Sequence, residues 1–366
     1  MANQANEKIK RRYFKLLKGA KGFSDQTIAC AERAIHQFEE STQFKDFKTF
    51  CERQATGFKK WLDEHKYKGR PLSNTTKYHQ LRHVHAFFTW LASQQGYRSR
   101  ISLDAISYLT MDRKTVHEVL SPRPKRFPSL EQVKQLVGSV QVKTEMDRRD
   151  RALIAFLLLT GIRYRAACSL SLGCFDCEKL VVYQDPRMGV KTKGGKVITT
   201  RILRFDSGLV EVVKDWVLYL TNERHFGPSD PLFPRNRVSQ ALNGYSFEVK
   251  EVEPVFWGGG NSIREILKAR SAEAGLPYFN PHSYRHAACQ LGLKGARTPE
   301  EFKALSQNFG HEEVMTTLKS YGTLDQERVG EVIAGIDFSE DRGNCLGAIP
   351  ASDLVALLRN RNIKLD

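Results

Sequence analysis

Apolar residues recur at helical spacing through most of this chain. In residues 74–95 they fall three and four positions apart, and residues 24–66 have the same periodicity. The apolar stripe of the second segment consists of Tyr78, Leu81, Val84, His85, Phe88 and Leu91. Arg82 and His83 lie on its other faces. This pattern predicts a small helical bundle over residues 23–120.

A proline-rich segment then marks a boundary. Residues 121–128 contain three prolines and three basic residues, which exclude a regular helix and suit a linker crossing an anionic partner. Ser129 is a good N-cap for a helix that follows. Beyond it the pattern predicts helices to about residue 170 and from 208 onward. Strands are predicted at 179–183, 188–191 and 197–205. The predicted fold class is mainly α with a small antiparallel β-sheet.

Composition agrees with a folded protein of two domains. The chain has 366 residues, 41% hydrophobic and 27% charged. Its longest apolar run, Leu153 to Leu159, is far shorter than the ~20 residues of a membrane span. We therefore expect a cytoplasmic protein. Seven scattered cysteines predict free thiols. Cys174 and Cys177 have the spacing of half of a zinc site, but a simple turn is the favoured interpretation.

The net charge of +16 is unevenly distributed. Residues 1–128 contain 25 basic against 12 acidic side chains, whereas residues 129–366 contain 32 against 29. Within residues 8–21 seven basic side chains occur with no acid, which predicts a basic N-terminal arm over residues 1–22. Such an arm orders on DNA or serves as a solubilising tail. The excess charge favours a domain that binds phosphates.

Four residues near the C-terminal end carry the chemistry. Asn280 and Pro281 open a helix on which His282 and Arg285, three positions apart, share a face. The guanidinium of an arginine can bind the oxygens of a phosphate, and a histidine can transfer a proton near neutral pH. His311 and Tyr321 follow in the sequence. Tyrosine can serve as a covalent nucleophile.

Two further parts lie upstream. An apolar helix runs into Thr160-Gly161 and then presents Arg163. Strand-like runs on either side of Gly194-Gly195 predict a hairpin whose tip carries lysines.

This ordered set resembles the catalytic domain of the tyrosine recombinases, also called the phage integrase family. The resemblance covers residues 129–336, and a weaker one to the family's core-binding domain covers residues 23–120. It implies two phosphate-binding arginines, a lysine general acid, two histidines and a tyrosine nucleophile. In that order of roles these are Arg163, Arg285, Lys193, His282, His311 and Tyr321. The chain departs from the family at Ala166, where an acidic residue is usual, and in a His311 to Tyr321 spacing one residue longer.

The resemblance implies a cytoplasmic, nucleoid-associated DNA strand transferase. It would cleave and rejoin specific sites through a 3′-phosphotyrosine, as a homotetramer on two double-stranded DNA segments, with or without accessory proteins. No metal or nucleotide cofactor is implied. Residues 337–366 form a predicted tail that docks on a neighbouring subunit or on its own. The predicted DNA contacts are Lys8, Lys10, Arg11, Arg12, Arg82, Arg123, Lys125, Arg126, Lys191 and Lys196.

Two other functions remain open. A type IB topoisomerase shares the pocket but relaxes DNA as a monomer, and the basic arm, linker and tail favour recombination over it. A site-specific DNA-binding protein with a decayed pocket is the second alternative, and it rests on Ala166 and the longer spacing before Tyr321.

Overall fold

The computed structural model describes residues 3–121, 125–240 and 247–311, with side chains omitted for 238–240 and 247–250. The chain divides into two compact units, residues 1–123 and 124–366. The division lies inside the proline-rich segment 121–128. Tyr321, Arg123 and the predicted tail at 337–366 fall outside the described residues.

The first unit is a helical bundle. Its helices are α1 (Gln4–Gly19), α2 (Asp25–Ser41), α3 (Glu52–Glu64), α4 (Asn74–Leu91), α5 (Leu103–Ser107) and α6 (Arg113–Leu120). A short hairpin of β1 (Lys66–Tyr67) and β2 (Arg70–Pro71), which the periodicity did not predict, joins α3 to α4. As predicted, Leu81, Val84, Phe88 and Leu91 of α4 are buried, and Arg82 is exposed.

The basic N-terminal arm was predicted wrongly. Residues 4–19 are helix α1, and Ile9, Tyr13 and Leu17, four positions apart, lie in the core of the first unit. Tyr13 packs against Phe87 with ring centroids 5.1 Å apart. Because lysines and arginines alternate with this narrow apolar stripe, the charge of the segment hid its amphipathic character.

Lys10 also differs from its predicted role as a DNA contact. It is buried, and its Nζ lies 2.6 Å from Glu39 Oε2 and 2.6 Å from Glu7 Oε1. Asn6 Nδ2 donates to Glu39 Oε1 over 3.0 Å. A buried carboxylate needs such partners, so Lys10 fixes α1 to α2 and is not a surface cation.

The second unit surrounds a buried helix. Its helices are α7 (Leu130–Ser139), α8 (Glu145–Thr160), α9 (Tyr164–Ala167), α10 (Ser207–Leu218), α11 (Asn261–Glu273), α12 (Pro281–Gly295) and α13 (Pro299–Asn308). Ser129 caps α7 as predicted, in a reciprocal pair with Gln132. Every residue of α8 from Ala152 to Thr160 is buried, so this helix is the centre of the core.

A three-stranded antiparallel sheet flanks the core. Its order is β3 (Phe175–Asp176), β4 (Val181–Gln184) and β5 (Ile198–Arg201), with Val182 opposite Thr200. The strand predicted at 188–191 is absent, because residues 186–188 form a 3₁₀ turn that ends at Gly189 with φ +84°. The glycine pair lies in a long connection between β4 and β5, not in a tight hairpin.

Strands also interrupt the region predicted to be helical after residue 208. β6 (Arg235–Gln240) pairs with β7 (Phe247–Glu253), and ion pairs join Arg235 to Glu253 and Arg237 to Glu251 across the two strands. Opposite charges facing each other favour such pairing. Among the described residues, no helix is long and apolar enough to cross a bilayer.

We predict that Lys10→Ala loosens α1. Removing one partner of a buried ion pair costs about 3 kcal/mol, because Glu39 keeps a desolvated charge. Amide hydrogen exchange of the full chain, read by mass spectrometry, should accelerate in residues 4–19 by roughly 100-fold. Lys8→Ala, an exposed lysine of the same helix, is the control and should leave exchange unchanged. Equal protection in both variants would contradict a structural role for Lys10.

Candidate active site

Arg285 lies on the second turn of α12, as predicted. The side chain of Asn280 accepts from the backbone N–H of His282 over 3.0 Å, and Pro281 occupies the first helical position. These two residues begin the helix at a fixed point, because the cap satisfies an N–H and proline preorganises the backbone. Arg285 is only 2% exposed.

The guanidinium of Arg285 joins three segments of the chain. Nη1 donates to the carbonyl of Gly161 over 2.8 Å, and Nη2 donates to the carbonyl of Phe309 over 2.7 Å. Nη2 also lies 2.8 Å from Nε2 of His311. The ends of α8 and α13 are thereby held against α12.

Gly161 is required by the backbone and by its neighbours. It ends α8 with φ +57°, and a Cβ there would lie 2.5 Å from Cε1 of Phe309. No other residue fits that conformation and that approach. Two residues later Arg163 occupies the N-cap of α9, half-buried. Its charge contributes to lowering the pKa of both His282 and His311, so it belongs to the same cluster.

Gly310 and His311 form a left-handed helix cap. Gly310 has φ +66°, its N–H donates to Gln307, and the N–H of His311 donates to the carbonyl of Ser306 over 3.0 Å. A Cβ on Gly310 would lie 2.5 Å from Cδ1 of Ile198, so glycine also permits close packing on β5.

His311 is a buried, neutral imidazole. Desolvation lowers its pKa to about 4, and the positive charges of Arg285, Arg163 and Lys196 act in the same direction. Since Nε2 faces an Arg285 donor, that nitrogen accepts and the ring proton is assigned to Nδ1.

His282 lies one turn before Arg285 and is exposed. Partial desolvation lowers its pKa, and the charges of Arg285, Lys125 and Arg163 lower it further. An exposed histidine that stays neutral near pH 7 can accept a proton from a bound ligand. The structure thus brings together four of the six predicted catalytic residues, namely Arg163, His282, Arg285 and His311.

The three lysines of the β4–β5 connection are all exposed. Lys193 begins a turn in which Gly194 and Gly195 have φ +73° and +70°. Lys196 is the lysine whose charge acts on His311, and the charge of Lys191 acts on Cys168. The assignment of Lys193 as the general acid stays a prediction, as does that of Tyr321 as the nucleophile.

His286 was missed by the sequence reasoning. It is buried one turn after His282, and its ring packs edge-on against Phe127 with centroids 4.7 Å apart. Desolvation lowers its pKa to about 4, with a contribution from Lys125. The i, i+4 spacing from His282 was the available signal. Lys125 therefore lies near the site, whereas it was predicted only as a linker contact.

The remaining predicted residues differ in burial. Ala166 is buried in the core, and its N–H donates to the carbonyl of Arg163 over 2.8 Å. In the first unit Lys8, Arg11, Arg12 and Arg82 are exposed. Arg82 stacks on Tyr78, 5.8 Å from the ring centroid. Within the described ranges no three His, Cys, Asp or Glu side chains are placed to hold a metal ion.

Comparison with known proteins shows the family of this chain. The model of the phage integrase family matches residues 127–328, more than half of the chain. The chain belongs to the phage integrase family. The mainly helical architecture with small antiparallel sheets is that of the family, as predicted.

Individual relatives of this integrase-family chain are distant. It is 24% identical to the tyrosine recombinase XerD of Vibrio cholerae, over 85% of this chain and 90% of that protein. It is 26% identical to the tyrosine recombinase XerC of Corynebacterium efficiens, over 55% of this chain and 54% of that protein. The chain spans about half to two thirds of the length of several curated relatives that it matches.

The fold is shared with a solved structure of the Tn1549 transposon integrase in complex with a circular intermediate DNA. The TM-score is 0.55 at 18% identity, covering 90% of this chain and 99% of that one.

We predict that acid destabilises the second unit through its buried histidines. The pKa values of His286 and His311 are about 4 in the folded chain, below the ordinary 6.5. The unfolded state therefore binds more protons between pH 6.5 and 4, and the free energy of unfolding falls across that window. The expected slope is about 1.4 kcal/mol per pH unit for each histidine.

His286→Phe keeps an aromatic ring against Phe127 and removes one of these titrating groups. Urea unfolding between pH 7 and 5, followed by tryptophan fluorescence, should show a shallower pH dependence in this variant than in wild type. His225→Asn, at an exposed histidine of the same unit, should retain the wild-type slope. Identical slopes in His286→Phe and wild type would show that His286 is not buried in neutral form.

Proposed function

We propose that this chain is a site-specific DNA recombinase that cleaves and rejoins DNA through a covalent 3′-phosphotyrosine. The observation that carries the proposal is the convergence of Arg163, His282, Arg285 and His311 in one cluster around the buried guanidinium of Arg285. Two guanidinium groups beside neutral imidazoles form a preorganised positive site for one phosphate.

The chemistry follows from the residue types. The Oη of Tyr321 would attack phosphorus, and its proton would pass to a basic neighbour, a role that suits the neutral, exposed imidazole of His282. Arg163 and Arg285 would stabilise the charge on the phosphorane-like transition state. Lys193 would donate a proton to the leaving 5′-oxygen.

Strand exchange is possible because the bond that is broken and the bond that is formed have similar energies. One phosphodiester replaces another of similar energy, so a hydroxyl of a second DNA strand can reverse the step without a nucleotide cofactor. The family membership and the match to a Vibrio cholerae XerD over most of both proteins support recombination. We infer that double-stranded DNA is the partner and that a homotetramer on two sites is the active form.

Integration or excision of a mobile element is the biological role that we propose. The similarity in fold to a transposon integrase supports it. The first unit adds exposed cations, including Lys8, Arg11, Arg12 and Arg82, for the DNA backbone.

We predict that Tyr321→Phe abolishes covalent DNA binding. Purified protein is incubated, without metal or ATP, with nicked DNA from the locus that flanks its gene, and adducts are resolved on a denaturing gel. Wild type should form an adduct and Tyr321→Phe should not, while both shift the same DNA in a native gel. Wild type that binds this DNA without forming an adduct would instead favour the decayed DNA-binding protein. Adduct formation with relaxation of supercoiled DNA, and without strand exchange, would favour the topoisomerase.

Lys125 is predicted to act in cleavage and not only in binding. After burial, its charge contributes to lowering the pKa of both His282 and His286, and Phe127, two residues later, packs against His286, so we propose that its ammonium assists the phosphate. Lys125→Ala should slow single-turnover cleavage of saturated nicked DNA by roughly 10- to 100-fold. Arg126→Ala, at the adjacent exposed linker cation, should keep the wild-type cleavage rate. If both variants cleave like wild type, Lys125 is a backbone contact alone.

A further inference from the structure

Asn308, the last residue of α13, is bound to the outer edge of β5. Its Oδ1 accepts from the N–H of Arg201 over 2.6 Å, and its Nδ2 donates to the carbonyl of Arg201 over 3.0 Å. The backbone carbonyl of Asn308 accepts from Oγ1 of Thr200 over 2.8 Å. The amide therefore satisfies both backbone groups of one strand residue, as a neighbouring strand would.

Residues 308–311, the corner at the end of α13, contact β5 along its length. Besides the bonds of Asn308, the side chain of Ile198 packs directly over Gly310. On the opposite side, Arg285 binds the carbonyl of Phe309 and the ring of His311. The corner thus lies between the helix that carries Arg285 and the strand that follows the lysine-bearing connection.

Lys193 is close to this strand in sequence. The turn Lys193–Gly195 ends three residues before Ile198, the first residue of β5. Two glycines with positive φ leave that turn little stiffness of its own. Its placement relative to Arg285 therefore depends on where β5 is held, and β5 is held on one edge by its ladder with β4 and on the other by the polar contacts of Asn308.

We propose that Asn308 is a positioning residue that places the lysine-bearing connection for proton donation to the leaving 5′-oxygen. This inference rests on the proposed function. In the step concerned, the bond from Tyr321 Oη to phosphorus forms and the bond from phosphorus to the 5′-oxygen breaks. A proton passes from the Lys193 ammonium to that oxygen. Asn308 contacts neither the DNA nor the proton, and acts through β5.

The test uses two nicked substrates that differ in one atom. In the second, sulfur replaces the bridging 5′-oxygen, and a thiolate leaves without needing a proton because thiols are far more acidic than alcohols. Asn308→Ala should slow cleavage of the oxygen substrate by roughly 10- to 100-fold, as a misplaced catalytic group does. On the sulfur substrate it should cleave at close to the wild-type rate, with unchanged affinity for DNA.

Three reference variants define the result. Lys193→Ala should behave as Asn308→Ala does, whereas Arg285→Ala should be slow on both substrates. Gln307→Ala changes an exposed neighbour and should match wild type on both. Asn308→Asp keeps the acceptor for the N–H of Arg201 but places a carboxylate oxygen against the carbonyl of Arg201, so it breaks the same contact with a side chain of the same shape and should show a defect that sulfur also rescues.

The inference is overturned if both Asn308 variants cleave the oxygen substrate at the wild-type rate. It is equally overturned if their defect persists on the sulfur substrate while that of Lys193→Ala is rescued. Wild type that forms no adduct with either substrate would overturn the proposed function itself, and the inference with it. An adduct formed by wild type keeps the two questions separate.

Discussion

The site depends on one buried guanidinium. Arg285 donates to carbonyls of Gly161 and Phe309, which belong to segments far apart in sequence, and it contacts His311. A buried cation is costly unless its donors are satisfied, so the fold is stable only when these segments meet at Arg285. The same contacts place Arg163, two residues after Gly161, and His311, two residues after Phe309. Stability and site geometry therefore have a common origin.

This arrangement separates positive charge from proton transfer. The arginines stay charged at any physiological pH, while burial keeps His311 and His286 neutral with pKa values of about 4, helped by the charges of Arg285 and Arg163 at His311 and by that of Lys125 at His286. Attraction for a phosphate then does not vary with histidine protonation. The exposed His282, whose pKa is also lowered, is left able to accept a proton. A phosphodiester would thus meet a fixed cationic surface and a separate base.

Local signals in the sequence predicted much of this. Asn280 with Pro281, Ser129 and Gly161 mark three helix ends through their own backbone chemistry, and all three ends are confirmed. The spacing of His282 and Arg285 likewise follows from the helix period. Contacts between distant segments were not predictable. Asn308 binds Arg201 from 107 positions away, and nothing in either local sequence specifies the other. Helix α1 was misjudged because its six basic residues outweighed three buried apolar residues.

Helix α8 shows how packing makes the cationic part of the site rigid. At its N-terminal end Asp147 and Asp150 bind Arg270 over 2.6 and 2.9 Å, and its middle is buried on every side. The helix is therefore held by ion pairs at its N-terminal end, by packing in its middle and by Arg285 at its C-terminal end. The C-terminal end leads to Arg163, so that residue is fixed too. Electrostatic stabilisation of a transition state requires such preorganisation, since dipoles that must reorient lose their advantage. Tyr321, which we propose as the nucleophile, has a different requirement, because a nucleophile must approach and leave phosphorus. A fixed set of cations satisfies the first requirement, and a nucleophile carried ten residues beyond His311 in the sequence need not be part of that fixed set.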